Sequence, residues 1–367
     1  MKILLLSDAN SIHTYRWAYS LKKRGIDIKL FSLFKPNKFS VKKYNECSVE
    51  VISTDLKSKI KDLRKPNLSK IRYIQSIRLI KKTIKFFEPD IVHSHYSSSY
   101  GVLGMLSGFR PIITSVWGSD IYSFPNKNRF NKILTKLVFK NSNKVCSTSK
   151  AMKKIIKNEF NISNVDIIPF GIDLTFFEPN PNYYLKQNFT VGTIKSIEDH
   201  NGIDCLLDAA WIIKNEYKVN LNFIIVGDGS LKKEMEKKSI ELELDNIEFT
   251  GHVDHQEVKK YYEMISIFIA VSTRESFGVS VLEAAANAIP SITSNIGGLT
   301  EVNLHNKTGI VIDPNDPEKL ASSIIKLYRN KKLLKKLGKN ARGMVQQNFD
   351  WNDNVCQMLK LYNTVLN

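Results

Sequence analysis

Glu275 and Glu283 are two glutamates separated by seven residues, in a stretch whose composition switches three times. Residues 265–271 (ISIFIAV) form an apolar run of strand length, and residues 272–276 are a polar loop. Residues 279–288 turn helical, Pro290 stops the helix, and Ser291 to Ser294 has the length and flanks of a further strand. Strand, loop, helix and strand make a βαβ unit, and such sheets bind ligands at the carboxyl ends of their strands. The opening amides of the helix, at Gly278, Val279 and Ser280, would present a partial positive charge suited to phosphate. Glu283 shares a face with Val279, four residues earlier, and lies one to two turns into the helix. Two carboxylates that accept hydroxyl hydrogen bonds, beside an anion-binding helix start, fit a ligand carrying both phosphate and polyol. The competing reading makes Glu283 a helix-surface charge and Glu275 a first-turn acid favoured by the helix dipole.

The rest of the chain must supply elements that hold these groups. At 367 residues, two domains are expected rather than one core, and 43% hydrophobic with 25% charged residues is ordinary globular composition. The four cysteines, Cys47, Cys146, Cys205 and Cys356, are far apart with no CxxC pair, which indicates neither a zinc ribbon nor a disulfide framework. The apolar run of MKILLLSD is too short for a signal peptide and is expected to be a buried first strand. No apolar run reaches the length of a transmembrane helix, so a cytoplasmic protein is expected. The net charge of +18 is not evenly spread. Residues 1–180 hold 32 Lys and Arg against 13 acids, whereas residues 181–367 hold 22 against 23. The front half therefore suits an anionic partner, either an acidic membrane face or nucleic acid.

Within that half, residues 57–85 carry eleven Lys and Arg against one Asp. From Ile71 onward, Ile74, Ile77, Leu79, Ile80 and Ile84 recur near helical spacing. A basic amphipathic helix of this kind lies on an anionic bilayer, or else turns its apolar stripe to the sheet and its lysines to water. Residues 127–157 repeat the theme with ten Lys and Arg and no acid. Peripheral contact with an anionic membrane is expected from both stretches. The basic helices lack interleaved aromatics or a known motif, so nucleic acid is not expected as a partner. His93 and His95 end a strand on one side, but no third ligand stands near in sequence, and no metal is expected. His13 follows the first strand, where it would touch substrate or cap the next helix. The Gly227-Asp228-Gly229 turn lacks the third glycine of a dinucleotide fingerprint, since Lys232 occupies that position.

The stretch Glu275-Ser276-Phe277-Gly278 through Glu283-Ala284, with Pro290 and Gly297-Gly298, resembles the family-4 retaining glycosyltransferases of GT-B fold. The resemblance is close over residues 189–326 and looser over 1–175. It implies an α/β protein of two Rossmann-like, doubly wound domains facing a central cleft. Residues 1–175 would bind the acceptor and residues 176–350 the nucleotide sugar, joined near Pro169-Phe170-Gly171-Ile172-Asp173 and the Pro- and Asn-rich run 179–184. The final helix, 351–367, would cross back to the front domain. In such enzymes the first glutamate, here Glu275, meets the donor sugar, and the second, Glu283, meets the ribose. Phe277, Gly278, Val279 and Ser280 would line the donor, and Val253 would offer backbone atoms to the base. Relatives have paired glycines in the first loop, and here Asn10 and Ser11 take those places. They also carry an Arg after the glycine at Gly192 and a later Lys-Gly, whereas this chain has Thr193 and Asn201-Gly202. Lys195 is then the surviving cation for the diphosphate, unless it is a plain surface lysine. His93 and His95 would face the cleft. Trp117 stands where many relatives have a histidine, with Asp120 a partial substitute. Ala288 replaces the glycine that usually ends the glutamate-bearing helix; a left-handed cap is costlier for alanine, and the neighbouring Asn287 could adopt it instead.

The activity implied is hexosyl transfer with retention, from a nucleotide-diphosphate sugar to a glycan or lipid-linked acceptor, as in bacterial lipopolysaccharide or capsule synthesis. No cofactor and no metal are expected, since no Asp-x-Asp occurs. A sugar-nucleotide 2-epimerase shares the architecture but not the Phe-Gly-bearing glutamate pair, and a basic nucleic-acid-binding protein is the more distant alternative.

Overall fold

The computed structural model describes residues 1–56, 66–179 and 189–367, with side chains described from residue 75 in the helix Pro66–Phe87. The expected basic run at 57–65 and most of the Pro- and Asn-rich run lie outside the described residues. The chain divides into two units, Met1–Ile168 with Val355–Asn367, and Pro169–Asn354. It therefore changes unit at Ile168/Pro169, and again inside the C-terminal helix Trp351–Leu366.

The first unit holds a seven-stranded parallel sheet of β1 (Lys2–Leu6), β2 (Asp27–Phe34), β3 (Glu50–Leu56), β4 (Ile91–His95), β5 (Ile112–Val116), β6 (Lys144–Ser147) and β7 (Val165–Ile167). Its order is β3-β2-β1-β4-β5-β6-β7. The second unit holds a six-stranded sheet of β8 (Thr190–Ile194), β9 (Asn222–Val226), β10 (Ile247–Gly251), β11 (Ile267–Ala270), β12 (Ser291–Ser294) and β13 (Gly309–Ile312), in the order β10-β9-β8-β11-β12-β13. Both sheets are parallel throughout, so helices cover both faces and the central strands are buried on both sides. Ile3 to Leu6 and Ile267 to Ala270 are buried without alternation. In each sheet the order reverses beside the first strand, between β1 and β4 and between β8 and β11. That reversal opens a crevice at the carboxyl ends of the two strands.

The two basic stretches fold differently from one another. In the helix Pro66–Phe87, Ile77, Ile80, Ile84 and Phe87 join the core cluster of β1, β2 and β4. Arg78, Lys81, Lys82 and Lys85 are left in water. From Ile77 onward the apolar stripe expected to meet a membrane is thus spent on the sheet, which corrects that expectation for the described side chains of this helix, whereas Ile74 lies outside them. In the helix Arg129–Asn141 only Thr135, Val138 and Phe139 are buried.

A fully buried polar cluster fastens the C-terminal helix to the first unit. His93 Nδ1 lies 2.7 Å from the Tyr362 hydroxyl, and its Nε2 lies 2.8 Å from Ser115 Oγ. His95 Nδ1 lies 3.0 Å from Ser7 Oγ, which in turn meets Thr14 Oγ1 at 2.7 Å. Burial drives the pKa of His93 down to about 3 and that of His95 well below its ordinary value. Both rings are therefore neutral structural members.

Residues 169–177 belong with the second unit because their backbone pairs with the start of the last helix. Ile172 N donates to Phe349 O at 2.7 Å, and Trp351 N donates to Ile172 O at 3.0 Å. Arg342 adds bonds to Phe177 O, at 2.6 Å, and to Ala286 O. A Cβ on Gly171 would sit 2.6 Å from Trp351 Cα, which is why this position takes glycine.

Two outcomes follow. Gly171→Val is expected to destabilise the second unit by about 2–3 kcal/mol through that backbone clash, read as a lowered midpoint in urea. For His93, the unfolded chain binds a proton near pH 6.5 while the folded chain resists it until about pH 3. Stability should therefore fall as pH drops through that window, by up to about 1.4 kcal/mol per pH unit. His93→Asn should flatten the slope by that amount, measured by urea unfolding at pH 7 and pH 5.

Candidate active site

Lys195 is the first residue after β8, and Ser272 and Glu275 lie just beyond β11, so the strand-order reversal of the second sheet brings them together. Lys195 Nζ donates to Glu275 Oε2 at 2.6 Å and to Ser272 Oγ at 2.7 Å. The side chains are 9% and 19% exposed, so the pair is largely shielded from water. Lys195 is therefore not a plain surface lysine. Thr273 N donates to His200 O at 2.9 Å, which ties the glutamate loop to the segment after β8. Burial depresses the His200 pKa, and the Arg274 and Lys195 charges push it the same way. The Glu275 and Glu198 carboxylates act on it in the opposite direction, so charges of both signs meet at the glutamate loop.

The helix Val279–Ala286 begins at Gly278, whose φ of 102° is left-handed and whose place at the N-cap brings no side chain to the opening amides. A capping serine or aspartate there would compete with an incoming anion. Val279 and Ser280 are half-buried at this start. Glu283 is 5% exposed, which removes the helix-surface reading. Its Oε2 accepts from the Tyr262 hydroxyl at 2.8 Å and its Oε1 lies 3.0 Å from His255 Nε2. Burial, then the Glu283 charge, raises the Tyr262 pKa far above its ordinary value, so the phenol keeps its proton and donates. Phe177 packs edge-on against both Tyr262 and His255, and Phe176 stacks on His255 at 6.0 Å. Val253, two residues after the end of β10 and two before His255, is half-buried.

At the far end of the helix, Ala288 itself takes the left-handed conformation, with a φ of 57°. Asn287 stays at a φ of −86° and donates its side-chain amide to Glu283 O at 2.8 Å. Of the two residues that could take the left-handed turn, it is Ala288 that does. That side-chain bond holds Asn287 in place, and the turn falls on its neighbour.

Other expected contacts have structural partners. Phe277 is buried against Phe170 and Phe349, so its ring packs the core and does not line a donor site. The Asn10 side chain accepts from Asn37 N at 2.9 Å and Ser40 Oγ at 3.3 Å and donates to Lys35 O at 3.2 Å. It clasps the loop after β2, and its amide is committed there. Ser11, not His13, holds the N-cap position of the helix Ile12–Lys23. His13 lies edge-on to Trp117 at 5.9 Å, and Trp117 lies 4.4 Å from the His95 ring. Asp120 is fully buried and accepts from the backbone amides of Trp117, Gly118 and Ser97 at 3.1, 2.9 and 2.8 Å. It is the clasp of the turn after β5, and every bond it makes is internal. His93 and His95 are likewise interior groups, as the bonds to Tyr362 and Ser7 require. Among the described residues, no cluster of three His, Cys, Asp or Glu is placed to hold a metal ion.

Sequence reasoning missed Tyr262, His255, Ser272 and Arg274. Ser272 and Arg274 stand in the glutamate loop and were within reach. Tyr262 and His255 lie 21 and 28 residues from Glu283 on other elements, and no spacing signal connects them.

Comparison with known proteins agrees with this geometry. Residues 2–149 match the family described as Glycosyl transferase 4-like, and residues 179–344 match Glycosyl transferases group 1. MJ1178 of Methanocaldococcus jannaschii, an uncharacterized glycosyltransferase, is 28% identical over 306 residues, or 81% of this chain and 83% of that one. O-antigen chain mannosyltransferase C of Escherichia coli is 27% identical over 208 residues, 54% of this chain and of that one. Alr3699/HepE of Anabaena, solved in complex with UDP, superposes with a TM-score of 0.82 at 19% identity, covering 99% of this chain and 100% of that one. The Lys195–Glu275 pair and the buried Glu283 thus sit in the second of two Rossmann-like units of a GT-B fold, the unit that matches Glycosyl transferases group 1, while the first unit matches Glycosyl transferase 4-like.

Proposed function

We propose that the protein transfers a hexose-type sugar, with retention, from a nucleotide-diphosphate donor to a glycan or lipid-linked acceptor in cell-surface polysaccharide synthesis. The observation that carries this reading is the shielded Lys195–Glu275 pair at the reversal of the second sheet. The E. coli relative's name, an O-antigen chain mannosyltransferase, supports the substrate class.

When a sugar leaves a nucleotide diphosphate, negative charge grows on the departing phosphate. Stabilisation must come from donors already in place. Lys195 and the opening amides of the helix Val279–Ala286 are such donors. An arriving diphosphate would draw the ammonium from Glu275, and the released carboxylate would then accept from sugar hydroxyls. Glu283 keeps lone pairs for a ribose hydroxyl while Tyr262 and His255 fix its orientation. Retention places the acceptor hydroxyl on the face the phosphate leaves, and the phosphate itself takes the proton, so no separate base is required. No metal takes part in this reading, because Lys195 and the amides do the neutralising. The basic front unit suits an acceptor held at the cytoplasmic face of an anionic membrane.

The test is release of free nucleoside diphosphate from a panel of nucleotide sugars in the presence of acceptor. Glu275→Ala and Lys195→Ala should each lower kcat by about 10²–10³-fold, as loss of transition-state contacts does. Glu283→Ala should mainly raise the donor KM. Tyr262→Phe removes one bond to a charged carboxylate and should raise donor KM by about tenfold with kcat nearly unchanged. Wild-type kinetics in all four would remove the site.

A further inference from the structure

The helix Arg129–Asn141 (RFNKILTKLVFKN) has two apolar faces, and only one of them is used by the fold. Thr135, Val138 and Phe139 face inward, where Phe139 packs with Phe160 and the cluster around Val116 and Val145. Phe130, Ile133 and Leu137 recur at intervals of three and four residues, so they form one stripe. At about 100° per residue that stripe lies on nearly the opposite side of the helix from the buried face. These three residues are 70%, 59% and 45% exposed. A stripe this long, left in water, marks an interaction surface rather than scattered apolar exposure.

Charge identifies the occupant. Arg129, Lys136 and Lys140 run along one flank of the stripe, and the helix contains no acid. The fourth cation, Lys132, points away to Glu159, at 2.9 Å. A second copy of this chain would set cations against cations across the stripe. An interfacial helix has this arrangement instead: apolar groups among the acyl chains and cations at the anionic headgroups beside them. The helix is about 20 Å long and carries four charges, so it suits lying in a bilayer surface and not crossing one.

We propose that the helix Arg129–Asn141 docks the protein on an anionic bilayer, with Phe130, Ile133 and Leu137 inserted and Arg129, Lys136 and Lys140 at the headgroups. This goes beyond the transfer reading and does not rest on it, since vesicle binding and sugar transfer to a soluble acceptor are measured separately. Of the two basic stretches in the front half, it assigns the apolar contact to this one, because the described stripe of the other helix, Ile77 to Phe87, packs in the core.

The test is co-sedimentation of the full chain with vesicles of phosphatidylcholine alone or with one third phosphatidylglycerol. The wild type should sediment with the mixed vesicles and stay free of the neutral ones. Phe130→Ser with Ile133→Ser should weaken that partition by roughly tenfold or more, and Lys136→Glu with Lys140→Glu should abolish it. Both double variants should keep the wild-type unfolding midpoint in urea, which shows that they fold. Independently of these, the indole of an Ile133→Trp variant should be quenched by brominated acyl chains. Equal binding to neutral vesicles, wild-type partition of Phe130→Ser with Ile133→Ser, or an unquenched Ile133→Trp indole would overturn the proposal. Failure to bind either vesicle would also overturn it and leave the stripe to an acidic protein partner.

Discussion

A lysine ammonium shielded from water is stable only beside an opposite charge and with its remaining protons bonded. Lys195 meets that demand with Glu275 and Ser272, and all three groups depend on where β8 and β11 end. The two strands are neighbours only because the sheet was wound outward from β8 in both directions. The residues after their last hydrogen-bonded positions are therefore forced into one crevice. In the proposed reaction the pairing is a resting arrangement: a donor phosphate would compete with the carboxylate for the ammonium and free Glu275 for sugar hydroxyls. On that proposal one contact links the fold to donor recognition and charge stabilisation.

The buried Glu283 sets a second constraint on the same helix. Val281, Leu282 and the alanines around it are apolar and buried, so an unpartnered carboxylate at that position would be costly. The carboxylate is retained only with partners on both oxygens. Tyr262, from the helix Val258–Met264, and His255, from the turn before it, supply them. Phe176 and Phe177 close over His255 from a segment that Arg342 ties to the end of the glutamate-bearing helix. The orientation of one side chain therefore draws on four separate pieces of chain. That spread is the reason it escapes a reading by spacing.

The same distinction explains what was legible in the sequence. Strands in parallel sheets are written as apolar runs, so β11 and β12 were readable to within a residue or two, and β12 had the expected bounds. Helix stops are local as well, and Pro290 follows closely on the end of the helix Val279–Ala286. The two glutamates were legible because both lie in one βαβ unit with the helix start between them. Roles fixed by distant partners were not legible. His93 looks like a ligand at a strand end, yet its partner is Tyr362, 269 positions away. Asp120 looks like a free acid after β5, yet the turn folds three backbone amides onto it. Asn10 looks like a loop contact for a donor, yet its amide closes on residues 35–40. In each case a polar residue at the end of a strand had two available partners, a ligand or the protein's own backbone, and its type alone does not choose.

Periodicity has a matching blind spot. The helices Pro66–Phe87 and Arg129–Asn141 share a composition of aliphatic residues spaced among lysines, and both suggest a face for a membrane. A hydrophobic stripe records that a face avoids water, not what covers it. In the first helix a single stripe must also hold the helix to its sheet, and Ile77, Ile80 and Ile84 are used up in doing so. In the second, residues 135, 138 and 139 perform that task, and a further stripe is left over. Only a helix with more apolar surface than its own packing consumes has any to offer elsewhere. The surplus, not the periodicity or the charge, separates the two helices, and it becomes countable once the buried face is known.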